Sequence, residues 1–332
     1  MYIPVVRIAA LSFMVSVAAL VSAQAFDAKQ ITLKVGYGPG GTYDLSSRLL
    51  ARYLGEFLPG KPEIVVQNVP GGGSLKLAKL MLGSEPADGS VIASISPNMA
   101  FAPLLDPENV DLDASSIVWL GALSSEPAFC ATTKASGIDT MEKFLSGSFH
   151  VGASAKNSPT YQQAAIAKHG LGAKFDIVVG FSGAAEIELA MERGELAGHC
   201  SVSVTELARR GVLKDFNIIG RFGSKSVPAA PDVPRFSAMI DDPVVRQAAE
   251  FIEAARDINY PLMVPPGASD DTVRILRDAY TAAASDPRFV AEAQAMGEFT
   301  LSATSGEEMT AIIKRQLQAD DAIIAAARKL VE

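Results

Sequence analysis

From Ile31 onward the chain repeats one unit: a short β-branched strand, a glycine-rich turn, then apolar residues at helical spacing. Residues 31–35 carry the first strand signal, and Gly36-Tyr37-Gly38-Pro39-Gly40-Gly41 after them must be a turn. Leu45, Leu49 and Tyr53, with Leu50, Leu54 and Phe57, then recur at helical intervals and predict a helix over 42–58. The unit returns as a strand at 64–67, a break at Gly71-Gly72-Gly73, a helix over 74–82 and a strand at 91–96. Parallel strands need a crossover, and a helix is the usual one. The order therefore predicts an α/β fold with mostly parallel sheets flanked by helices.

The middle of the chain continues the theme. Strands are expected at 118–123, 129–132, 149–152, 177–181, 198–202 and 217–222, with helices over 160–169 and 184–193. Val227-Pro228-Ala229-Ala230-Pro231-Asp232-Val233-Pro234 reads as an extended link between lobes. The C-terminal part is helical. Ser269 caps one helix, and Pro287 stands in the first turn of another. Ser305-Gly306-Glu307-Glu308 is a capping box before a last helix whose buried stripe runs through Met309, Ile312, Ile313, Leu317, Ile323 and Ile324.

The N-terminus predicts export. Arg7 precedes an apolar run from Ile8 to Val21, and Ala23-Gln24-Ala25 is a small-x-small cleavage pattern, so residues 1–25 read as a signal peptide. The run falls short of the roughly 20 residues that span a bilayer. The chain from Phe26 to Glu332 is long enough for two lobes. Net charge is −8, which argues against nucleic acid or an anionic membrane surface as a partner. The 2 cysteines, Cys130 and Cys200, lie near strand ends. In an oxidising compartment they form either a disulfide, worth roughly 4 kcal/mol on the chain-entropy model, or two buried thiols.

Two motifs imitate nucleotide sites. Gly36 to Gly41 fits G-x-G-x-x-G, yet the next strand ends Val66-Gln67-Asn68 without the acid that holds a ribose, and an exported protein meets little NAD. Gly55 to Lys61 fits G-x-x-x-x-G-K, but Pro62 replaces the magnesium-binding hydroxyl and the run ends a helix instead of starting one. There is no G-x-S-x-G elbow, and His150, His169 and His199 stand in no metal-binding spacing. The sequence points to no cofactor and no enzyme.

A physical site remains. Gly38-Pro39-Gly40-Gly41-Thr42 delivers bare backbone N–H groups to a helix start, where a partial positive charge and unpaired donors suit an anion. The same loop reads equally as an ordinary capped turn, and Asp44 is placed either to cap it or to meet a ligand. Ser154, Asn157-Ser158 and Val179-Gly180-Phe181-Ser182-Gly183 offer similar turns at later strand ends. Such loops line the ligand crevice of α/β sheets.

Gly38 to Asp44, with Arg48 and Leu49, resembles the P-x-G-G-x-x-D-x-x-A-R segment of the Bug family, the extracytoplasmic solute-binding proteins of tripartite tricarboxylate transporters. Asn68-Val69-Pro70-Gly71-Gly72-Gly73, Ala87-Asp88-Gly89, Gly180-Phe181-Ser182-Gly183, Pro231-Asp232-Val233-Pro234 and Pro265-Pro266-Gly267 resemble further family segments in order. Where that family often has Asp, this chain reads His199-Cys200-Ser201.

The resemblance implies a two-lobed Venus-flytrap fold of the type II periplasmic binding class. Lobe one would comprise 26–123 plus 226–332, and lobe two 124–225. It implies a periplasmic monomer that captures a small carboxylate and delivers it to the integral membrane subunits of such a transporter. A ligand-sensing protein on the same fold is the alternative. The implied ligand set is Tyr37, Gly40, Gly41, Thr42, Asp44, Ser96, Asn98, Ser154, Ser158, Phe181, Ser182, Gly183 and Ser201.

Overall fold

A computed structural model describes residues 28–297 and 301–332, so the expected signal peptide lies outside the described residues. Strands β1 (Gln30–Val35), β2 (Glu63–Asn68), β3 (Val91–Ser94) and β4 (Val118–Ser124) come first. β5 (Ala128–Thr133), β6 (His150–Gly152), β7 (Asp176–Val178), β8 (Gly198–Val202) and β9 (Phe216–Phe222) follow, and β10 (Asn259–Val264) and β11 (Leu301–Ser305) complete the set. They form two sheets, ordered β11-β4-β10-β3-β1-β2 and β7-β6-β8-β5-β9. Each sheet with its helices is one lobe of a two-lobed α/β molecule.

Both sheets are mixed: in each, most strands run one way and a minority opposes them. β1 runs parallel to β2 and β3, and β6 parallel to β7 and β8. β10 opposes β3 and β4, β11 opposes β4, and β5 opposes β8 and β9. The cause is where the chain changes sheets. Asn259 at the start of β10 pairs with Ser124 at the end of β4, and Ala128 at the start of β5 pairs with Phe222 at the end of β9. Each strand enters its sheet at the end where its neighbour leaves, so the two must run in opposite directions.

The helices are α1 (Thr42–Leu54), α2 (Leu75–Gly83), α3 (Ala102–Leu105), α4 (Met141–Ser146), α5 (Pro159–Ala165), α6 (Ala184–Glu192), α7 (Val204–Arg209), α8 (Pro243–Glu253), α9 (Asp270–Ser285), α10 (Pro287–Met296), α11 (Gly306–Gln316) and α12 (Asp321–Leu330). Leu49, Leu50 and Leu54 of α1 bury the predicted stripe against Ile31 and Leu33 of β1. The predicted last helix is two, α11 and α12, and Asp320 starts the second. α8, whose first amides Asp242 caps ahead of Pro243, was not among the expected helices, although Asp-Pro also starts the helix at Pro287. Among the described residues no helix is long and apolar enough to cross a membrane.

Cys130 and Cys200 form a disulfide between directly paired positions of β5 and β8, and both are fully buried. Next to this pair the β5–β8 register slips, because Phe129 pairs with Val202 while Cys130 pairs with Cys200. Ser201 is the extra residue of this bulge, with φ +94°. Bulges re-aim side chains, and a non-glycine residue held in this region marks stored strain.

Candidate ligand-binding site

The site begins where β1 stops. Gly36 is required there, because a Cβ would lie 2.3 Å from Ser74 Cβ. The turn then places Gly40 at φ +85° and makes Gly41 the N-cap of α1 with no side-chain cap. Asp44 explains how the turn keeps its shape. One carboxylate oxygen accepts the Gly40 N–H at 3.0 Å, and the other accepts Arg48 Nε and Asn68 Nδ2, each at 2.9 Å. Burial pushes the Asp44 carboxyl up, but these donors outweigh it and hold it below the usual range. Asn68 also donates to the Tyr37 carbonyl at 3.0 Å, so β2 clamps the turn from the side.

Lobe two presents a matching start. Gly183 is the N-cap of α6, again without a side-chain cap. Glu186 turns outward to accept both the N–H and the hydroxyl of Ser182, at 2.7 and 2.8 Å. The two turns meet: Gly38 N–H donates to the Ser182 carbonyl at 3.0 Å, and a Cβ on Gly41 would stand 3.8 Å from Ala185 N. Two helix N-termini from opposite lobes thus face one another with their first amides uncapped.

Between them lies a cavity with about 50 Å³ of room for the centre of a water-sized sphere. Of the expected set, Tyr37, Gly41, Thr42, Ser154, Gly183 and Ser201 line it. The others do not. Gly40 faces an adjoining groove with Ala185 and Glu188. Asp44 is spent on the turn. Ser96 accepts from the Asn98 N–H, and Asn98 donates to Gln162 at 2.5 Å. Ser158 caps α5, and Phe181 packs beside Ile187 and Met191. Ser182 contributes its carbonyl to the lobe contact and its hydroxyl to Glu186.

Four lining residues with polar side chains were missed: Tyr43, Thr160, Arg256 and Tyr260. Tyr37, Tyr43 and Tyr260 pack in series, the first pair tilted and the second edge to face, with ring centroids 4.4 and 4.9 Å apart. Burial pushes all three phenols well up, so they remain neutral hydroxyls. Thr160 links Ser154 and Ser158 through its hydroxyl. Arg256 belongs to no motif and sits in a short turn between α8 and β10, where only the tertiary fold carries it to the cavity. A larger hollow, about 740 Å³, lies on lobe two away from these amides, and its Arg210 is already paired with Glu188.

No family model matches the chain, and no curated protein does. Solved structures do. Periplasmic binding protein BugD is 16% identical over 87% of this chain and 94% of its own, with a TM-score of 0.68. MatC from Rhodopseudomonas palustris with bound malate is 17% identical over 91% and 99%, with a TM-score of 0.69. A TctC solute binding protein from Polaromonas is 20% identical over 91% and 97%, with a TM-score of 0.57. The fold is that of a periplasmic binding protein. In that fold the cavity occupies the cleft between the two lobes, and each lobe supplies one of the facing helix starts.

Proposed function

We propose that the protein is a periplasmic solute-binding protein that captures a small carboxylate between its lobes. The observation that carries this is the meeting of the α1 and α6 N-termini at one cavity, each without a side-chain cap. Uncapped first-turn amides plus the helix dipole favour an anion, and a closed, dry cleft strengthens each such hydrogen bond. The cavity is small, which matches a short acid. The malate in the related MatC structure has the same chemistry.

The ligand contacts on this reading come from Tyr37, Gly41, Thr42, Ser154, Gly183 and Ser201, with Gly40 and Asp44 shaping the turn. The lobes are 26–123 plus 226–332, and 124–225. Capture without turnover fits a site built from backbone amides and phenols. The sequence resemblance adds delivery to a tripartite tricarboxylate transporter, with the protein acting as a monomer in the periplasm. Titration calorimetry with mono-, di- and tricarboxylates and acidic amino acids tests the reading. If no member binds more tightly than millimolar, carboxylate capture is wrong.

A further inference from the structure

We infer that Thr160 is a positioning residue of the cleft: it holds Ser154 so that the Ser154 hydroxyl proton is the one lobe two turns to a bound acid. The inference rests on the carboxylate reading of the cleft and adds which hydroxyl donates, and why.

Ser154 and Thr160 line the cavity, and Ser158, fully buried, bonds to Thr160 from the protein side. Each of the three hydroxyls has a single proton to give. A carbonyl can only accept, so the 2.6 Å contact between Ser158 Oγ and the Ala155 carbonyl takes the Ser158 proton. Ser158 therefore accepts at its 2.8 Å contact with Thr160 Oγ1, and the Thr160 proton is spent there. Thr160 Oγ1 is left with lone pairs. It accepts the Ser154 N–H at 3.0 Å and faces Ser154 Oγ at 3.3 Å. Across that last gap only Ser154 can donate, and 3.3 Å is long for an O–H···O bond. Within this chain of hydroxyls, Ser154 carries the one proton that no short bond holds.

The Ser154 backbone is tied on both sides. Its N–H is on Thr160, and its carbonyl accepts the Gly180 N–H at 3.2 Å. Only its hydroxyl has a choice of partner. An acid in the cavity draws the proton off the weak Thr160 contact into a charge-assisted bond, roughly twice as strong as a neutral one. Thr160 cannot make that bond itself, because its own proton points at Ser158. It acts on the ligand through Ser154.

The probe is the tightest binder among acetate, succinate, malate, citrate and glutamate, titrated by calorimetry into the full mature chain and its variants. Ser154→Ala is expected to weaken binding by about tenfold, the loss of a hydrogen bond to a charged group. Thr160→Val removes the hydroxyl and keeps the shape. It should weaken binding by about fivefold or more in the wild-type background. In the Ser154→Ala background, where no hydroxyl is left to aim, it should cost no more than about twofold. Thr160→Ser, which restores the hydroxyl, should bind within about threefold of wild type. Ligand-free melting temperatures should show Thr160→Val lowering stability alike in both backgrounds, so that only the binding effect depends on Ser154. Equal binding losses from Thr160→Val in the two backgrounds would overturn the inference. So would Thr160→Ser binding as weakly as Thr160→Val. Undiminished affinity in Ser154→Ala would overturn it too, even where Thr160→Val fails to fold. Wild-type protein that binds none of the five acids would instead sink the underlying carboxylate reading.

Discussion

The Gly38 N–H donates to the Ser182 carbonyl at 3.0 Å, joining the first turn of one lobe to the corresponding turn of the other. A Cβ on Gly38 would fall 2.7 Å from Ser182 Oγ, too close for the two turns to meet as they do. Gly38 has no positive φ, so alanine costs nothing in its own backbone, and the penalty falls on closure. Gly38→Ala is expected to weaken ligand binding by about tenfold, the result of roughly 1.4 kcal/mol. The ligand-free melting temperature should stay within about 2 °C of wild type. Calorimetry and a thermal melt check the pair of outcomes together.

Gly41→Asp separates helix capping from ligand capture. Gly41 stands at φ −85°, ψ 168°, a conformation that any residue adopts. An aspartate there caps α1 itself, offering its carboxylate to the amides proposed to hold the ligand. Binding is expected to fall by at least about 100-fold through competition and repulsion. The fold should gain a few tenths of a kcal/mol, since Asp caps slightly better than Gly. Unchanged affinity would place the ligand elsewhere.

The same residues show what the sequence made legible. Local signals were sufficient for β1, the glycine turn and α1, because a β-branched run, glycines and a helical stripe each have a local cause. They were also sufficient for both helix starts. Side-chain direction was not legible. Asp44 and Ser182 sit in the right turns, yet their oxygens are taken by Arg48, Asn68 and Glu186, partners that only the folded turn reveals. Strand direction was missed for β5 and β10 because it depends on where the chain crosses between sheets. Arg256 lies over 200 positions from Gly41 in sequence, and no local pattern links them. Ser201 was named, but the bulge that aims it arises from pairing with β5.

The Cys130–Cys200 bond closes a separation of 70 residues within one sheet. Cys130→Ser with Cys200→Ser is expected to lower unfolding stability by roughly 4 kcal/mol on the chain-entropy model. Ligand affinity should fall as well, because the bond sits beside the strained Ser201 that lines the cavity. Urea melts of both forms give the first number and calorimetry the second. The intact oxidised chain should weigh about 2 Da less than its reduced form, one hydrogen lost per thiol. A protein whose mass does not change on reduction has no such bond.

His199 sets a pH dependence of its own. It is 1% exposed, and among the described residues neither ring nitrogen has a hydrogen-bond partner. Burial pushes its pKa below 6.5, against a smaller opposing pull from Glu188 and the Cys200 backbone. The folded protein therefore keeps the ring neutral while the unfolded chain takes up a proton near 6.5. Below that pH the unfolded state binds more protons, so stability falls as pH falls, and it is fully present above 6.5. His169, also held below 6.5 by burial, adds to the slope and remains in both proteins being compared. Asp44 and Glu186 are held below their ordinary 3.8 and 4.5, so their protonation lies beneath this window; burial pushes Glu253 and Asp257 up, which opposes the slope, and both remain in the two proteins being compared. The His199 contribution to wild-type stability should fall between pH 7 and pH 5. His199→Leu, which fills the same space without a titrating group, should lose less by on the order of 1 kcal/mol. Urea midpoints at the two pH values measure it, and identical slopes for the two proteins would show that His199 takes its proton in the folded state as readily as in the unfolded one.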